Sequence, residues 1–282
     1  MRSSAKLRFN TGWICQPGPK QVAIDFMISF QLFFTGLLAG GIDSIAGGGG
    51  LISLPILFLL VGPGPTAIGT NKVSATMGAF VALMVYFRKG HMNWRKSLVF
   101  AFSVAIGSSI GSRLSPQMPQ WAFSTILGVT CPLILYILWN KDLWVKIQPP
   151  SSLAESKAAQ SNFSFFKSGT LIASGLVCGI YDGAWGPGGG TFMFLALTVF
   201  AKMSLLTAIA ASKLANTFSG GTALMNYAAG GYVRWMDGTC LAIGMSVGAL
   251  VGATHASKYA AKVVRPVLAA VVSLLMIKLY IG

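Results

Sequence analysis

Acidic residues are nearly missing: Asp and Glu together number six in 282 residues, and all charged residues make up only 10%. A soluble domain carries roughly a quarter of its residues as charges, so this composition excludes one. The alternation of apolar and polar residues that a membrane β-barrel needs, in segments of about ten, is also missing, because the long segments are apolar all round. Cysteine is scarce too. Cys15, Cys131, Cys178 and Cys240 form no CxxC pair and mostly lie in apolar segments, which argues against a disulfide framework and a metal site; they read as small, soft packing residues, and no cofactor is expected.

What is present is apolar sequence. It makes up 54% of the chain, with several charge-free segments of about 18 residues or more, the length that crosses a hydrocarbon core of roughly 30 Å. The chain reads as an all-α polytopic membrane protein, with the lipid bilayer as its medium. The net charge of +15 would suggest nucleic acid in a soluble protein, but here most positives sit in short segments between apolar runs: Arg88, Lys89, Arg95 and Lys96, then Lys141 and Lys146, then Lys258, Lys262 and Arg265. They suit loops facing the cytoplasm and lipid headgroups, so no nucleic-acid partner is expected.

Residues 1–21 form a basic tail with Arg2, Lys6, Arg8 and Lys20. It lacks a clean cleavage site and reads as a cytoplasmic extension before a first retained helix. Apolar runs then fall at about 22–46, 51–61, 66–87, 97–113 and 121–139, and again at 169–185, 191–201, 204–228, 238–256 and 264–281. A polar stretch rich in Pro and Ser, within 141–168, separates a first membrane unit (22–140) from a second (169–282). The runs at 51–61 and 191–201 are too short to span a bilayer and read as re-entrant or half-helices.

The two units are copies. Over residues 67–94 against 208–235, ten of 28 positions are identical at an offset of 141, among them Ala67/Ala208, Lys72/Lys213, Thr76/Thr217, Tyr86/Tyr227 and Trp94/Trp235. Gly107/Gly248 and Gly111/Gly252 keep that offset, and Asp43/Asp182 with their glycine runs match at 139. The expected fold is therefore two tandem repeats with about eight transmembrane helices plus two short ones. Four crossings per repeat would place both copies in the same orientation, but Lys258, Lys262 and Arg265 would then face outside, against the positive-inside rule. Five crossings would invert them.

The repeated residues carry the chemistry. Asp43 leads into Gly47, Gly48, Gly49 and Gly50; Asp182 leads into Gly186, Pro187, Gly188, Gly189 and Gly190. Glycine runs just ahead of an undersized helix can present backbone N–H groups to an anion, or can simply let helices approach closely. At about 100° per residue, Ile68, Thr76, Leu83 and Tyr86 fall within about 40° of Lys72, a stripe that should avoid lipid. Lys72 and Lys213 can add positive charge at an anion site or snorkel to the interface. Asn71, Ser212, Asn216, Thr76 and Thr217 lie beside them as hydrogen-bonding groups. Asp43 and Asp182 can carry a coupling proton, balance the lysines, or sit as structural helix-end groups. Arg113 reads as an interface anchor. The expected partner is a small anion, and the oligomeric state stays open.

The string Gly40-Gly41-Ile42-Asp43-Ser44-Ile45-Ala46-Gly47-Gly48-Gly49-Gly50, then Pro55, Ala67-Ile68-Gly69-Thr70-Asn71-Lys72 and Gly90-His91-Met92-Asn93-Trp94, resembles the TauE/SafE sulfite-exporter family. The likeness extends over roughly residues 25–281 and implies a secondary transporter of sulfite or related sulfur-containing anions in the plasma (inner) membrane. The second half departs from the pattern, with Pro187 inside the glycine run and Ala211-Ser212-Lys213 in place of Thr-Asn-Lys. Two rival functions remain from the residues alone. One is a passive anion channel. The other is an intramembrane aspartyl protease, since Tyr181-Asp182 matches half of that motif, but the Gly-x-Gly-Asp half is missing at Asp43.

Overall fold

A computed structural model describes residues 19–139 and 165–256. Residues 1–18 of the tail, most of the polar linker, and the run at 264–281 with Lys258, Lys262 and Arg265 lie outside the described residues, as do Cys15 and the side chain of Cys131, while residues 19–21, read as tail, already belong to the first helix. The described chain is helical throughout, in the order α1 (Pro19–Ala46), α2 (Gly50–Val61), α3 (Pro65–Arg88), α4 (Trp94–Leu114), α5 (Gln120–Trp139), α6 (Phe165–Ala184), α7 (Gly189–Val199), α8 (Leu205–Ala229) and α9 (Trp235–Ala256). A 3₁₀ turn, Ser115–Gln117, follows α4. Among the described residues, the segments Met27–Ile45, Pro65–Arg88, Trp94–Gln117 and Trp235–Ala256 are long and apolar enough to cross a bilayer. The molecule is an integral membrane protein.

The short elements are as short as the apolar runs suggested. α2 has 12 residues and α7 has 11, so each extends about 17–18 Å, roughly half a bilayer. Other helices begin earlier than their apolar runs. α4 starts at Trp94 with Arg95 and Lys96 in its first turn, and α6 starts at Phe165, inside the stretch read as linker. Long basic side chains let a helix begin in the headgroup layer, ahead of its apolar core.

Two stripes of small residues fix the packing. On α1, an added Cβ at Gly36 would land on the backbone of Leu241 and Met245, and one at Gly40 on the carbonyl of Met245; on α9, Gly244 and Gly248 sit equally close to Phe33 and Leu37. The pair α4 and α6 repeats this, with Gly107 against Leu176, Gly111 against Ile180, and Gly179 against Val104. Lipid tails are as apolar as Leu, so in a membrane such close backbone approach, with its van der Waals contact, takes over the role of hydrophobic burial.

These contacts also give helix directions. Gly36 faces Leu241, Gly41 faces Gly248 and Ser44 faces Gly252, so α1 and α9 run parallel; the numbers also rise together between α4 and α6. Between α3 and α8 they run oppositely, Gly69 against Tyr227 and Thr76 against Gly220. α2 folds back on α1, since Gly49 packs on Asp43 and Ala39 while Leu57 clusters with Leu32. Gly238 packs on Val73 and Gly78 on Met245, so α3 and α9 run parallel, and Phe102 on Phe218 with Ser112 on Asn226 makes α4 and α8 parallel. It follows that α1 and α6 point in opposite directions.

Candidate functional site

Helices α1 and α6 both stop inside the bundle. Each is followed by a glycine with positive φ, Gly47 at 77° and Gly186 at 90°, a conformation that side chains strongly disfavour. The two turns touch: a Cβ at Gly47 would strike the backbone of Gly190 and Thr191, and one at Gly50 would sit 3.3 Å from the carbonyl oxygen of Gly186. A helix that ends away from water leaves carbonyls without partners. Two tyrosines supply them. Tyr86 Oη donates to the Ser44 carbonyl and Tyr227 Oη to that of Gly183, both at 2.8 Å.

The aspartates in the last turns of α1 and α6 are paired crosswise. Lys72 of the first half donates to Asp182 Oδ2 of the second at 2.7 Å, and Lys213 of the second half donates to Asp43 Oδ2 of the first, also at 2.7 Å. Lys72 is 2% exposed and Lys213 is fully buried, so neither snorkels to an interface. Four buried charges thus sum to zero. Removing one member of such a pair strands its partner in a medium of low dielectric constant.

Between the two turns lies a cavity of about 30 Å³, room for about two waters. Asp43, Asp182, Lys72, Asn71 and Asn216 line it with polar groups. Gly47, Gly50, Gly186 and Gly190 supply backbone walls. Ser53 Oγ donates to Asn71 Oδ1 at 2.6 Å, which occupies the carbonyl end of that amide and leaves its NH₂ end as the donor.

Other residues singled out in the sequence sit around this cavity and not on it. Gly49 N–H donates to Asp43 Oδ1 at 3.1 Å, so the anion held at the start of α2 is the protein's own carboxylate. Gly189 packs on the Asp182 carboxylate, while Gly48 and Gly188 form the turns behind the cavity wall. Thr76 and Thr217 donate to the carbonyls of Lys72 and Lys213 one helical turn earlier, and Ser212 donates to the Ile209 carbonyl. Arg113 is exposed at the end of α4.

Sequence reading missed three contributors. Ser219 donates to Asp182 Oδ2 at 2.5 Å, and Gly220 and Met245 line the cavity. Ser219 aligns with Gly78 in the other half and Met245 with Val104, so the repeat carries no signal for either. Among the described residues, no cluster of three or more His, Cys, Asp or Glu that could hold a metal ion occurs.

The sequence profile described as sulfite exporter TauE/SafE matches residues 32–279. Relatives include the "Probable membrane transporter protein ORF9" of a Sinorhizobium species, 33% identical over 213 residues, covering 76% of this chain and 77% of that one. The "Probable membrane transporter protein" of Haemophilus influenzae is 32% identical over 76% of this chain and 79% of its own. The "Probable membrane transporter protein YfcA" of Escherichia coli K12 is 31% identical over 76% and 75%. No solved structure gives a significant match. With most of its length matched by one family profile, the chain belongs to the TauE/SafE sulfite-exporter family of membrane transporters.

Proposed function

We propose that this protein is a secondary carrier of a small anion, sulfite or a related sulfur oxyanion, in the plasma (inner) membrane. The observation that carries the reading is the small polar cavity between two crossed ion pairs, where two broken helices meet. Broken helices meeting inside a bundle expose the backbone groups and dipole ends that carriers use for ions. Amide donors and one cavity-facing ammonium answer charge and oxygen acceptors without demanding one molecular shape. No Arg fork for a larger bidentate substrate lines the cavity. A cavity that admits about two waters passes no oxyanion as it stands, so entry requires the bundle to open, which is carrier behaviour. The protease alternative needs two carboxyls sharing a proton, whereas here each carboxylate has its own lysine.

The architecture that fits this role is a pair of inverted repeats of about eight long membrane helices plus two short ones. α1 and α2 form a hairpin that enters and leaves at one face, and α3, α4 and α5 then cross. Three crossings are odd, so the second half repeats the first upside down. This differs from both crossing counts drawn from the sequence. The reason is that α1 stops at the level of the cavity and α2 returns to its starting face.

The test is a thermal-shift screen on purified protein with sulfite, thiosulfate, sulfate, taurine, sulfoacetate and small carboxylates. Ligand at about 100 times its Kd should stabilise the fold by about 2.7 kcal/mol. At least one anion should do so selectively. Stabilisation by a cation or an apolar compound alone would sink the reading.

A further inference from the structure

The two ion pairs occupy equivalent positions in the two halves, yet their surroundings differ in three ways. Lys72 lines the cavity and Lys213 does not. Lys72 directs two of its three donors at Asp182, one to Oδ2 at 2.7 Å and one to the carbonyl at 2.5 Å, which leaves the third for the cavity. Asp182 Oδ2 accepts from a hydroxyl, Ser219, whereas Asp43 Oδ1 accepts from a backbone N–H, Gly49.

The third difference decides which carboxylate can gain a proton. A hydroxyl can reverse, so that a protonated Asp182 donates to Ser219 Oγ and no polar atom is orphaned. A backbone N–H cannot accept. A proton on Asp43 would sit on Oδ2, the oxygen that Lys213 now holds, and no hydroxyl among the described residues bonds to that oxygen, so the O–H would be buried without an acceptor. The position equivalent to Ser219 is Gly78, which has no hydroxyl and is packed against the Met245 side chain.

We propose that Lys72–Asp182 is the working pair and that it couples one proton to each negative charge of substrate, while Lys213–Asp43 is a fixed strut. This rests on the anion-carrier reading above. In the step, the Lys72 ammonium leaves the Asp182 carboxylate for the incoming anion, and Asp182 takes one proton, whose O–H is donated to Ser219 Oγ. Before the step the pair is neutral; a monoanion and a proton enter together; afterwards the ammonium–anion pair and the carboxylic acid are again neutral. Without the proton, the cavity would hold a net buried negative charge. The ionisable groups facing Asp182 are Lys72 from α3, Tyr227 from α8, Cys178 one turn back on α6, and Asp43 of α1 across the cavity; from α4, Ser108 reaches the Ser219 carbonyl at 2.9 Å.

Protons taken up on binding can be counted by calorimetric titration of the purified full chain in two buffers of different ionisation enthalpy. The probe is sulfite at mildly acid pH, where it is the singly charged hydrogensulfite. Wild type should take up one proton per anion bound, D182N none, and S219A fewer than one, because the O–H of Asp182 then loses its acceptor. Uptake of no proton by wild type, retention of the proton by D182N, or full uptake by S219A overturns the assignment. If D182N fails to fold, wild type and S219A still decide. Absence of binding by any anion in the thermal-shift screen is a different result, because it removes the carrier reading itself.

Discussion

Lys72 and Lys213 show how far a single residue can be read. Periodicity puts Lys72 on one stripe with Ile68, Leu83 and Tyr86, and all four are buried. Their partners were not legible. Lys72 and Asp182 are 110 residues apart and Lys213 and Asp43 are 170 apart, and a helical period gives a face without naming what lies against it. Ser219 was invisible for a different reason, since it breaks the repeat that made its neighbours conspicuous. The pairing predicts a specific energetic pattern. Lys213→Ala should destabilise the protein by about 3–5 kcal/mol, because it leaves the Asp43 carboxylate buried and unpaired. The double variant K213A/D43A should lose clearly less. Thermal unfolding in detergent of both singles and the double checks this, and equal losses in single and double would remove the coupling. Tyr86→Phe deletes one hydrogen bond to the end of α1 and should cost about 1 kcal/mol by the same measurement.

Helices in this molecule are placed by glycine as much as by apolar length. The short runs announced α2 and α7 closely, and their glycine-rich leads announced the turns. The stripes joining α1 to α9 and α4 to α6 were only half visible, through the conserved offsets of Gly107/Gly248 and Gly111/Gly252. Their partners on α1 and α6 repeat at the other offset, 139, as Gly36/Gly175 and Gly40/Gly179, and nothing in the sequence matches one offset to the other. Steric surroundings predict opposite signs for adjacent positions on α8. A Cβ at Gly220 would run into Thr76 Oγ1, while one at Gly221 meets nothing within 4 Å. Gly221→Ala should therefore be neutral or stabilising by up to about 1 kcal/mol, through helix propensity alone. Gly220→Ala should destabilise, because Thr76 would have to leave its bond to the Lys72 carbonyl. Unfolding midpoints of the two variants, compared side by side, test the packing of α3 on α8.

Crossed pairing constrains the whole molecule. Lys72 lies in the second turn of α3 and Lys213 near the start of α8, so both lysines are close to the N-terminal ends of their helices. The two helices nevertheless run antiparallel, as Gly69 against Tyr227 and Thr76 against Gly220 require, so the two lysines approach the central site from opposite sides. The turn after α3 and the turn after α8 then lie at opposite ends. Charge separates those ends in the same way. Arg88, Lys89, Arg95, Lys96 and Lys202 gather at one, while Arg113 and Arg234 stand at the other, where Asp237 pairs with Arg234 at 2.8 Å. The positive-inside rule then puts the first end in the cytoplasm and the start of α1 outside, which is opposite to the cytoplasmic start read from the sequence. Cysteines introduced at His91 and Tyr232, equivalent positions in the two turns, should react with a membrane-impermeant reagent from opposite faces, His91→Cys from the cytoplasmic side and Tyr232→Cys from outside. Cys178 and Cys240, both half-buried, are replaced beforehand to remove background. Labelling of both sites from one face would make α3 and α8 parallel, against the contacts of Gly69 with Tyr227 and of Thr76 with Gly220.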